Sequence, residues 1–125
     1  MAICTSSHTK SFLLKTSMNT DLIELFDGNI ICGDNSKVIN GKPSPDIFLH
    51  GLRMISSGVE IHPDNVLVFE DSPSGVMAGL NALMKVVWIP DVNLELDQSI
   101  SDRCTEVMFS MESFDPAKYG LPLFD

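Results

Sequence analysis

The amino-acid sequence predicts an α/β domain built on a parallel sheet. Short apolar segments of strand length alternate with amphipathic segments of helix length, which is the pattern of βα units. The 125 residues are enough for one hydrophobic core but not for two. An apolar fraction of 44% with 20% charged residues indicates a globular chain. We therefore expect residues 1–125 to form a single domain.

The predicted elements follow from apolar runs that are separated by turn residues. Ser44 is the expected N-cap of the helix that starts at Pro45, because serine caps and proline at the first position are both favoured there. Val66 to Phe69 is expected to be a fully buried strand, and residues 91–102 a loop or short helix. In order, the other predictions are strand 2–4, helix 8–18, helix 21–26, strand 29–32, helix 73–83, strand 86–89, strand 107–109 and a helical turn near Glu112.

The bulk composition excludes several classes of partner and site. A formal net charge of -9 disfavours nucleic acids and anionic membranes, which attract basic surfaces. No apolar run approaches the roughly 20 residues that span a bilayer. The cysteines, Cys4, Cys32 and Cys104, are widely spaced and read as reduced thiols, and the three histidines show no zinc-ligand spacing. We expect a cytoplasmic protein.

The most informative segment is Glu70-Asp71, an acidic pair at the end of an apolar strand. At an effective dielectric of about 20, two adjacent carboxylates repel each other by on the order of a few kcal/mol. A cation between them removes that cost, and Mg²⁺ prefers oxygen ligands of this kind. Gly75 and Gly79 in the next helix indicate close approach of the backbone to a strand or a ligand. A solvated acidic turn is the alternative interpretation.

Two further polar features adjoin predicted strands or helices. The hydroxyls and helix-opening amides of Thr5-Ser6-Ser7 suit a phosphate, although an ordinary helix cap is the alternative. Lys42, between a glycine and a proline, is placed to neutralise a phosphate or nearby carboxylates, although a solvated surface lysine is the alternative. Ligands of open α/β sheets bind at the carboxyl ends of the strands, so we expect the three features to converge there.

The order hydroxyl, lysine, acidic pair resembles the second, third and fourth motifs of the haloacid-dehalogenase-like (HAD) hydrolases. Within that family the resemblance is closest to the pseudouridine-5'-phosphatase branch, although glycerol-phosphate phosphatases share the three motifs. It rests on Thr5-Ser6-Ser7, Lys15-Thr16-Ser17, Gly41-Lys42-Pro43 with Pro45-Asp46-Ile47-Phe48-Leu49, Val68-Phe69-Glu70-Asp71 with Pro73, Gly75 and Val76, Val86-Val87 with Pro90, Asp91, Asn93 and Leu94, and Gly120-Leu121-Pro122.

The resemblance implies a Rossmann-like core that hydrolyses a small phosphorylated metabolite with Mg²⁺ as cofactor. It assigns the binding of the phosphoryl group to Thr5, together with Ser6 and Ser7, which follow it in the sequence. Lys42 would offset the negative charge of the nucleophile and the phosphate. Glu70 and Asp71 would hold Mg²⁺, which stabilises charge on the transferring oxygens.

One motif of the family does not occur in this sequence. The first motif, D-x-D-G at the end of the first strand, supplies the nucleophile and the general acid/base, and the nearest string here is Phe26-Asp27-Gly28-Asn29 with one aspartate. The helical cap between the first and second motifs is missing too. The chain therefore resembles the carboxyl-terminal part of such a phosphatase, with an incomplete core. We expect it to be inactive alone.

Two other functions remain open alternatives. The chain could be a non-catalytic binding or regulatory module that keeps the HAD core and pairs with another chain through an exposed strand edge. A receiver-like phosphoacceptor also ends a strand in acidic residues, but there the acidic pair comes first and the lysine last, which is not the order here.

Overall fold

The computed structural model describes residues 1–124, which form two parallel sheets flanked by helices. The smaller sheet pairs β1 (Ile3–Cys4) with β2 (Ile30–Ile31). The larger sheet contains β3 (Leu67–Glu70), β4 (Lys85–Trp88) and β5 (Glu106–Val107), with β4 in the centre. Across the described residues no ladder of hydrogen bonds joins β1 to β3, as expected for a core that lacks a strand between them.

Within residues 1–124, five α-helices and three 3₁₀ turns connect and cover these strands. The helices are α1 (Thr9–Thr16), α2 (Thr20–Glu24), α3 (Asp46–Ser56), α4 (Pro73–Asn81) and α5 (Gln98–Ser101), and the 3₁₀ turns are Pro63–Asn65, Met111–Ser113 and Pro116–Tyr119. Most predicted elements are thus confirmed, with shorter or slightly shifted ends. Of the helices in residues 1–124, none has the length and apolarity needed to cross a bilayer.

The core lies on both faces of β4. Val86 and Trp88 are fully buried in the main cluster, where α3 and α4 pack against the strands. On the opposite face, the fully buried Val87 packs with Met108 and Phe114. A strand that is covered on both faces reads as a continuous apolar run, and this explains why the sequence predicted β4 well.

The prediction that residues 66–69 form a fully buried strand is wrong. The strand begins and ends one residue later, at Leu67 and Glu70, and although Val68 is buried, Phe69 is 40% exposed. The reason is topological, because among the described residues β3 has a partner strand on one side only, and its other edge borders an open groove. A parallel strand is buried throughout only when it has neighbours on both edges.

The prediction that Ser44 caps α3 is also wrong. The helix begins at Asp46, Pro45 occupies the N-cap position, and no side chain caps it with a hydrogen bond among the described residues. The Ser44 hydroxyl instead donates to Asp46 Oδ1 at 2.6 Å, and this bond is the main reason why the pKa of Asp46 lies below its usual value. The Ser44 hydroxyl thus binds the side chain of Asp46, the first residue of the helix, instead of capping a backbone amide.

Candidate active site

The three polar features that the sequence singled out meet in one open pocket of about 580 Å³. It lies at the carboxyl ends of β1 and β3, where the loop after β1 faces the loop after β3. All six predicted site residues line it: Thr5, Ser6, Ser7, Lys42, Glu70 and Asp71. The rest of the lining is Cys4, Phe69, Ser72, Ile89 and Met111. The expected convergence at the strand ends is therefore observed.

Lys42 contacts both sides of the pocket. Its ammonium pairs with Glu70 Oε1 and also donates to the carbonyl oxygen of Cys4 at 3.0 Å. The side chain is only 8% exposed, and its nitrogen lies 4.9 Å from the centre of the Phe48 ring, which adds a cation–π contact. A solvated surface lysine, the alternative interpretation, does not match this environment. Lys42 instead links β1 to β3 across the gap between the sheets.

The Glu70 carboxylate is held in place by the helix that follows it. A Cβ atom added at Gly75 would overlap this carboxylate, so the carboxylate occupies the space that the missing side chain leaves. The Ser72 hydroxyl accepts a hydrogen bond from Gly75 N at 3.1 Å and thereby caps α4. At Gly79 an added Cβ would lie 2.8 Å from Val86 Cγ2. Both glycines thus permit close packing, as their position in the sequence indicated, and at Gly75 the neighbour is a site residue.

The two carboxylates of the acidic pair have different environments. Glu70 is buried against Lys42, whereas Asp71 is exposed on the pocket wall. The backbone of Asp71 is fixed, since its carbonyl oxygen accepts a hydrogen bond from Trp88 Nε1 at 2.9 Å and Trp88 is fully buried. The cation that relieves repulsion between the carboxylates is therefore available within the chain, as Lys42. Asp71 is the carboxylate that a ligand can reach directly.

The donor set suits Mg²⁺ better than a metal that needs an all-protein cage. Nowhere in residues 1–124 do three or more histidine, cysteine, aspartate or glutamate side chains cluster closely enough to hold a metal ion. Mg²⁺ typically keeps several waters and uses one or two carboxylates together with substrate phosphates. The exposed Asp71 beside Glu70 provides oxygen donors of that kind.

The hydroxyl loop after β1 is organised by its neighbours rather than by capping a helix. Ser7 N donates to Thr5 Oγ1 at 3.2 Å, and Ser7 Oγ accepts from Lys15 Nζ at 3.1 Å. The start of α1 is instead held by Asp34, whose Oδ1 accepts from both the amide and the hydroxyl of Thr9, at 3.0 and 2.8 Å. These bonds lower the pKa of Asp34. The interpretation of the hydroxyl triplet as an ordinary helix cap is therefore wrong.

Sequence reasoning missed the contributions of Asp34, Lys15 and Gly33 to this loop. A Cβ atom added at Gly33 would lie 2.5 Å from the carbonyl oxygen of Ser6, and Gly33 N donates to Ser7 O at 2.9 Å. The segment after β2 therefore presses directly on the loop after β1. The position of Gly33 and Asp34 in the sequence could have indicated this contact. Both follow a predicted strand that is parallel to β1, so they must lie at the same edge of the sheet as the loop after β1.

Cys4 does not supply the missing nucleophile. Burial raises the pKa of its thiol to about 11, the nearby Lys42 charge partly opposes this, and Glu70 adds to it. Cysteine attacks as the thiolate, so the protonated thiol of Cys4 is inert at neutral pH. The described pocket thus brings together hydroxyl, ammonium and carboxylate groups, without an activated thiol.

Several known proteins are similar to this chain. The profile of haloacid dehalogenase-like hydrolase matches residues 1–82. The (DL)-glycerol-3-phosphatase 1, mitochondrial, of Arabidopsis thaliana is 41% identical over 99% of this chain and 40% of its own length. A probable pseudouridine-5'-phosphatase of Drosophila melanogaster is 40% identical over 98% of this chain and 51% of its own length.

A solved structure shows the same fold. The HAD family hydrolase of Deinococcus radiodurans R1 superposes with a TM-score of 0.77 at 24% identity, over 95% of this chain and 52% of that protein. The chain thus spans about half the length, or less, of the relatives that it matches. The match of residues 1–82 and the parallel-sheet core both confirm the resemblance inferred from the motifs. The chain belongs to the haloacid dehalogenase-like hydrolase family.

Proposed function

We propose that the pocket is the phosphate- and Mg²⁺-binding part of a HAD-type phosphomonoesterase that acts on a small phosphorylated metabolite. The observation that carries this proposal is the convergence of the hydroxyl loop, Lys42 and the acidic pair on one pocket. Two relatives at about 40% identity are named as phosphatases, of glycerol 3-phosphate and of pseudouridine 5'-phosphate. Both substrates are phosphomonoesters, and the second is the one that the motif resemblance favours.

Each residue has a role that follows from its position. The Thr5 hydroxyl donates to a phosphoryl oxygen, because it lies on the pocket wall at the end of β1, and the hydrogen bond that Thr5 Oγ1 accepts from Ser7 N leaves its own hydrogen free to be donated. Lys42 lines the pocket, and its charge, which is shared with Glu70, offsets part of the negative charge of the phosphate. Asp71 and Glu70 would hold Mg²⁺, which stabilises negative charge on the transferring oxygens.

We also propose that this chain is catalytically inactive by itself. Its sequence has no D-x-D-G motif, and burial keeps the Cys4 thiol protonated. Positioning and charge stabilisation accelerate phosphoryl transfer only when an attacking group is present. The chain should therefore bind phosphate without turning over a phosphomonoester.

Binding of inorganic phosphate in the presence of Mg²⁺, measured by isothermal titration calorimetry, tests the proposal. Lys42→Met should abolish binding, while Lys37→Met, at an exposed position outside the pocket, should leave it unchanged. Emission from Trp88, the single tryptophan, verifies that each variant is folded. Equal phosphate affinity in both variants would contradict the proposed site.

Turnover is measured separately with pseudouridine 5'-phosphate and glycerol 3-phosphate. The expected result is no release of phosphate from either. Mg²⁺-dependent release that Asp71→Asn abolishes would show that the chain is a complete catalyst and would overturn the inactivity.

A second candidate is the non-catalytic binding module. The observation in its favour is the unpaired edge of β3 beside an apolar groove. It predicts a stable complex in solution, and a well-folded monomer that binds phosphate but no polypeptide would count against it.

A further inference from the structure

Lys15, in the last turn of α1, contacts the hydroxyl loop from outside the active-site pocket. Its Nζ donates to Ser7 Oγ at 3.1 Å, although the two residues are 8 positions apart. Ser7 lines the pocket, whereas Lys15 does not. The chain has 8 lysine and arginine residues against 17 acidic ones, so a second lysine close to the pocket of Lys42 runs against its overall acidic composition.

The ammonium of Lys15 has no carboxylate partner within residues 1–124. The ion pairs found there involve other basic residues, among them Lys42, whose charge is shared with Glu70. By reaching Ser7, the Lys15 ammonium is directed toward the amino end of α1. The helix dipole favours a cation at the opposite end. Neither charge pairing nor the stability of α1 therefore accounts for this contact.

The backbone of Ser7 is already fixed by other residues. Ser7 N donates to Thr5 Oγ1 at 3.2 Å, and Ser7 O accepts from Gly33 N at 2.9 Å. What these bonds leave undetermined is the rotation of the side chain, because a serine on a fixed backbone still has several staggered rotamers. The hydrogen bond from Lys15 selects the position of the hydroxyl oxygen.

The direction of this hydrogen bond follows from the chemistry of its partners. An ammonium donates hydrogens and has no acceptor, so Ser7 Oγ must be the acceptor. The single hydrogen of the hydroxyl is then left for another partner, and no group within residues 1–124 accepts it. A bond accepted from a cation also polarises the hydroxyl and makes it a stronger donor.

The Thr5 hydroxyl is in the same condition, because it accepts from Ser7 N. Both hydroxyls thus accept a hydrogen bond from the protein, and both have a hydrogen to donate. Both residues line the same pocket. An oxyanion with several acceptor oxygens, such as a phosphoryl group, matches a pair of donors of this kind.

We propose that Lys15 is a positioning residue that fixes the Ser7 hydroxyl as a donor to a phosphoryl oxygen in the pocket. The inference rests on the proposed function and adds to it a residue that lies outside the pocket lining. Lys15 acts through Ser7, so its effect on phosphate affinity requires the Ser7 hydroxyl. Lys42 differs in this respect, because it lines the pocket itself.

The experiment measures the affinity for inorganic phosphate in the presence of Mg²⁺ by isothermal titration calorimetry at constant ionic strength. Lys15→Met should weaken binding by about fivefold, the effect of losing one well-oriented hydrogen bond. Lys15→Arg should stay within about twofold of the unmodified chain, because a guanidinium also donates and cannot accept. Lys10→Met is the control, since it removes the same charge from an exposed position of α1 outside the pocket and should change the affinity by less than about twofold.

A double-mutant cycle then separates action through Ser7 from a direct effect of charge. Ser7→Ala alone should weaken binding by about fivefold. In the Ser7→Ala background, Lys15→Met should cause no further loss, because the group through which it acts is already gone. A direct interaction between the Lys15 charge and phosphate would instead make the two losses multiply.

Amide hydrogen exchange reports on the loop without any ligand. The Gly33 amide is bonded to Ser7 O, so its protection measures whether the backbone of the loop stays in place. The protection should be the same in Lys15→Met as in the unmodified chain. Faster exchange of this amide would show that Lys15 holds the loop backbone, and it would overturn the assignment to the hydroxyl.

The possible failures are distinguishable. If the unmodified chain binds phosphate and Lys15→Met binds it equally well, or if Lys15→Met weakens binding further in the Ser7→Ala background, this inference is wrong and the proposed function stands. If the unmodified chain does not bind phosphate, both are wrong. Emission from Trp88 verifies that each variant is folded.

Discussion

The ammonium of Lys42 pairs with the carboxylate of Glu70, and only 8% of either side chain is exposed. A buried pair of this kind is a weak source of net stability, because removing both charges from water is costly. Loss of one partner is different, since it leaves the other charge buried without compensation. The pair therefore keeps the two sides of the site in contact, and it makes the stability of the chain sensitive to the loss of either charge.

Lys42→Met should lower the free energy of unfolding by about 3 kcal/mol. The double variant Lys42→Met/Glu70→Gln should lose clearly less, because no uncompensated charge remains. Urea denaturation followed by Trp88 emission measures both values. The single variant could instead lose as much free energy of unfolding as the double variant, or less. That result would mean that solvent screens the Glu70 carboxylate.

Gly75→Ala should destabilise the chain by about 1–3 kcal/mol, because the added Cβ overlaps the Glu70 carboxylate. Helix propensity alone predicts the opposite sign, a gain of about 1 kcal/mol for alanine over glycine within α4. The sign of the change therefore decides between the two effects. Gly41→Ala is the control, since no atom lies within 4 Å of a Cβ added there. A stabilised Gly75→Ala variant would show that Glu70 moves aside freely.

Tyr119, the single tyrosine, should ionise well above its usual pH. Burial, the hydrogen bond that the phenol donates to Glu106 Oε2 at 2.6 Å and the negative charge of Glu106 together raise the pKa of Tyr119 to about 12. A folded-state pKa above the unfolded value stabilises the fold below pH 10, and this contribution is lost as the pH rises from 10 to about 12.

Ultraviolet absorbance of tyrosinate measures this titration, with the chain in urea as the reference. Glu106→Gln should move the midpoint down only in part, because burial is the larger cause. A midpoint equal to that of the unfolded chain, while Trp88 emission remains native, would refute the described environment.

The isolated chain should melt below about 60 °C or aggregate on heating. The physical cause is the open cavity between the two sheets, where Phe69 is 40% exposed and, among residues 1–124, amide groups on the facing edges of β1 and β3 have no backbone acceptor. Differential scanning calorimetry at several heating rates tests this. A sharp and reversible transition above that temperature is the outcome that would not fit.

The sequence predicted those parts of the molecule that local patterns determine. β4 was clear because Val86, Val87 and Trp88 are buried on both faces. The convergence of Thr5, Lys42 and the acidic pair followed from the rule that parallel strands end at one edge of the sheet. These inferences needed only periodicity and the order of the motifs.

What the sequence could not predict depends on contacts between distant segments. The partner of Glu70 is Lys42, 28 positions away, whereas the acidic pair alone suggested a metal as the neutralising cation. Asp34 holds the start of α1 across 25 positions. The exposure of Phe69 follows from a missing neighbour of β3, and no residue within the strand indicates it.

Lys42 also gives the two cavities a common element. Its ammonium contacts Cys4 O on β1 and Glu70 on β3, and these two residues line both the active-site pocket and the second cavity, which lies between the two sheets. An anion that draws this ammonium toward itself competes with the contacts that set the spacing of the two strands. A ligand that displaced the ammonium from Glu70 would leave that carboxylate buried without its cation, so anion binding and the spacing of the two strands depend on the same contact.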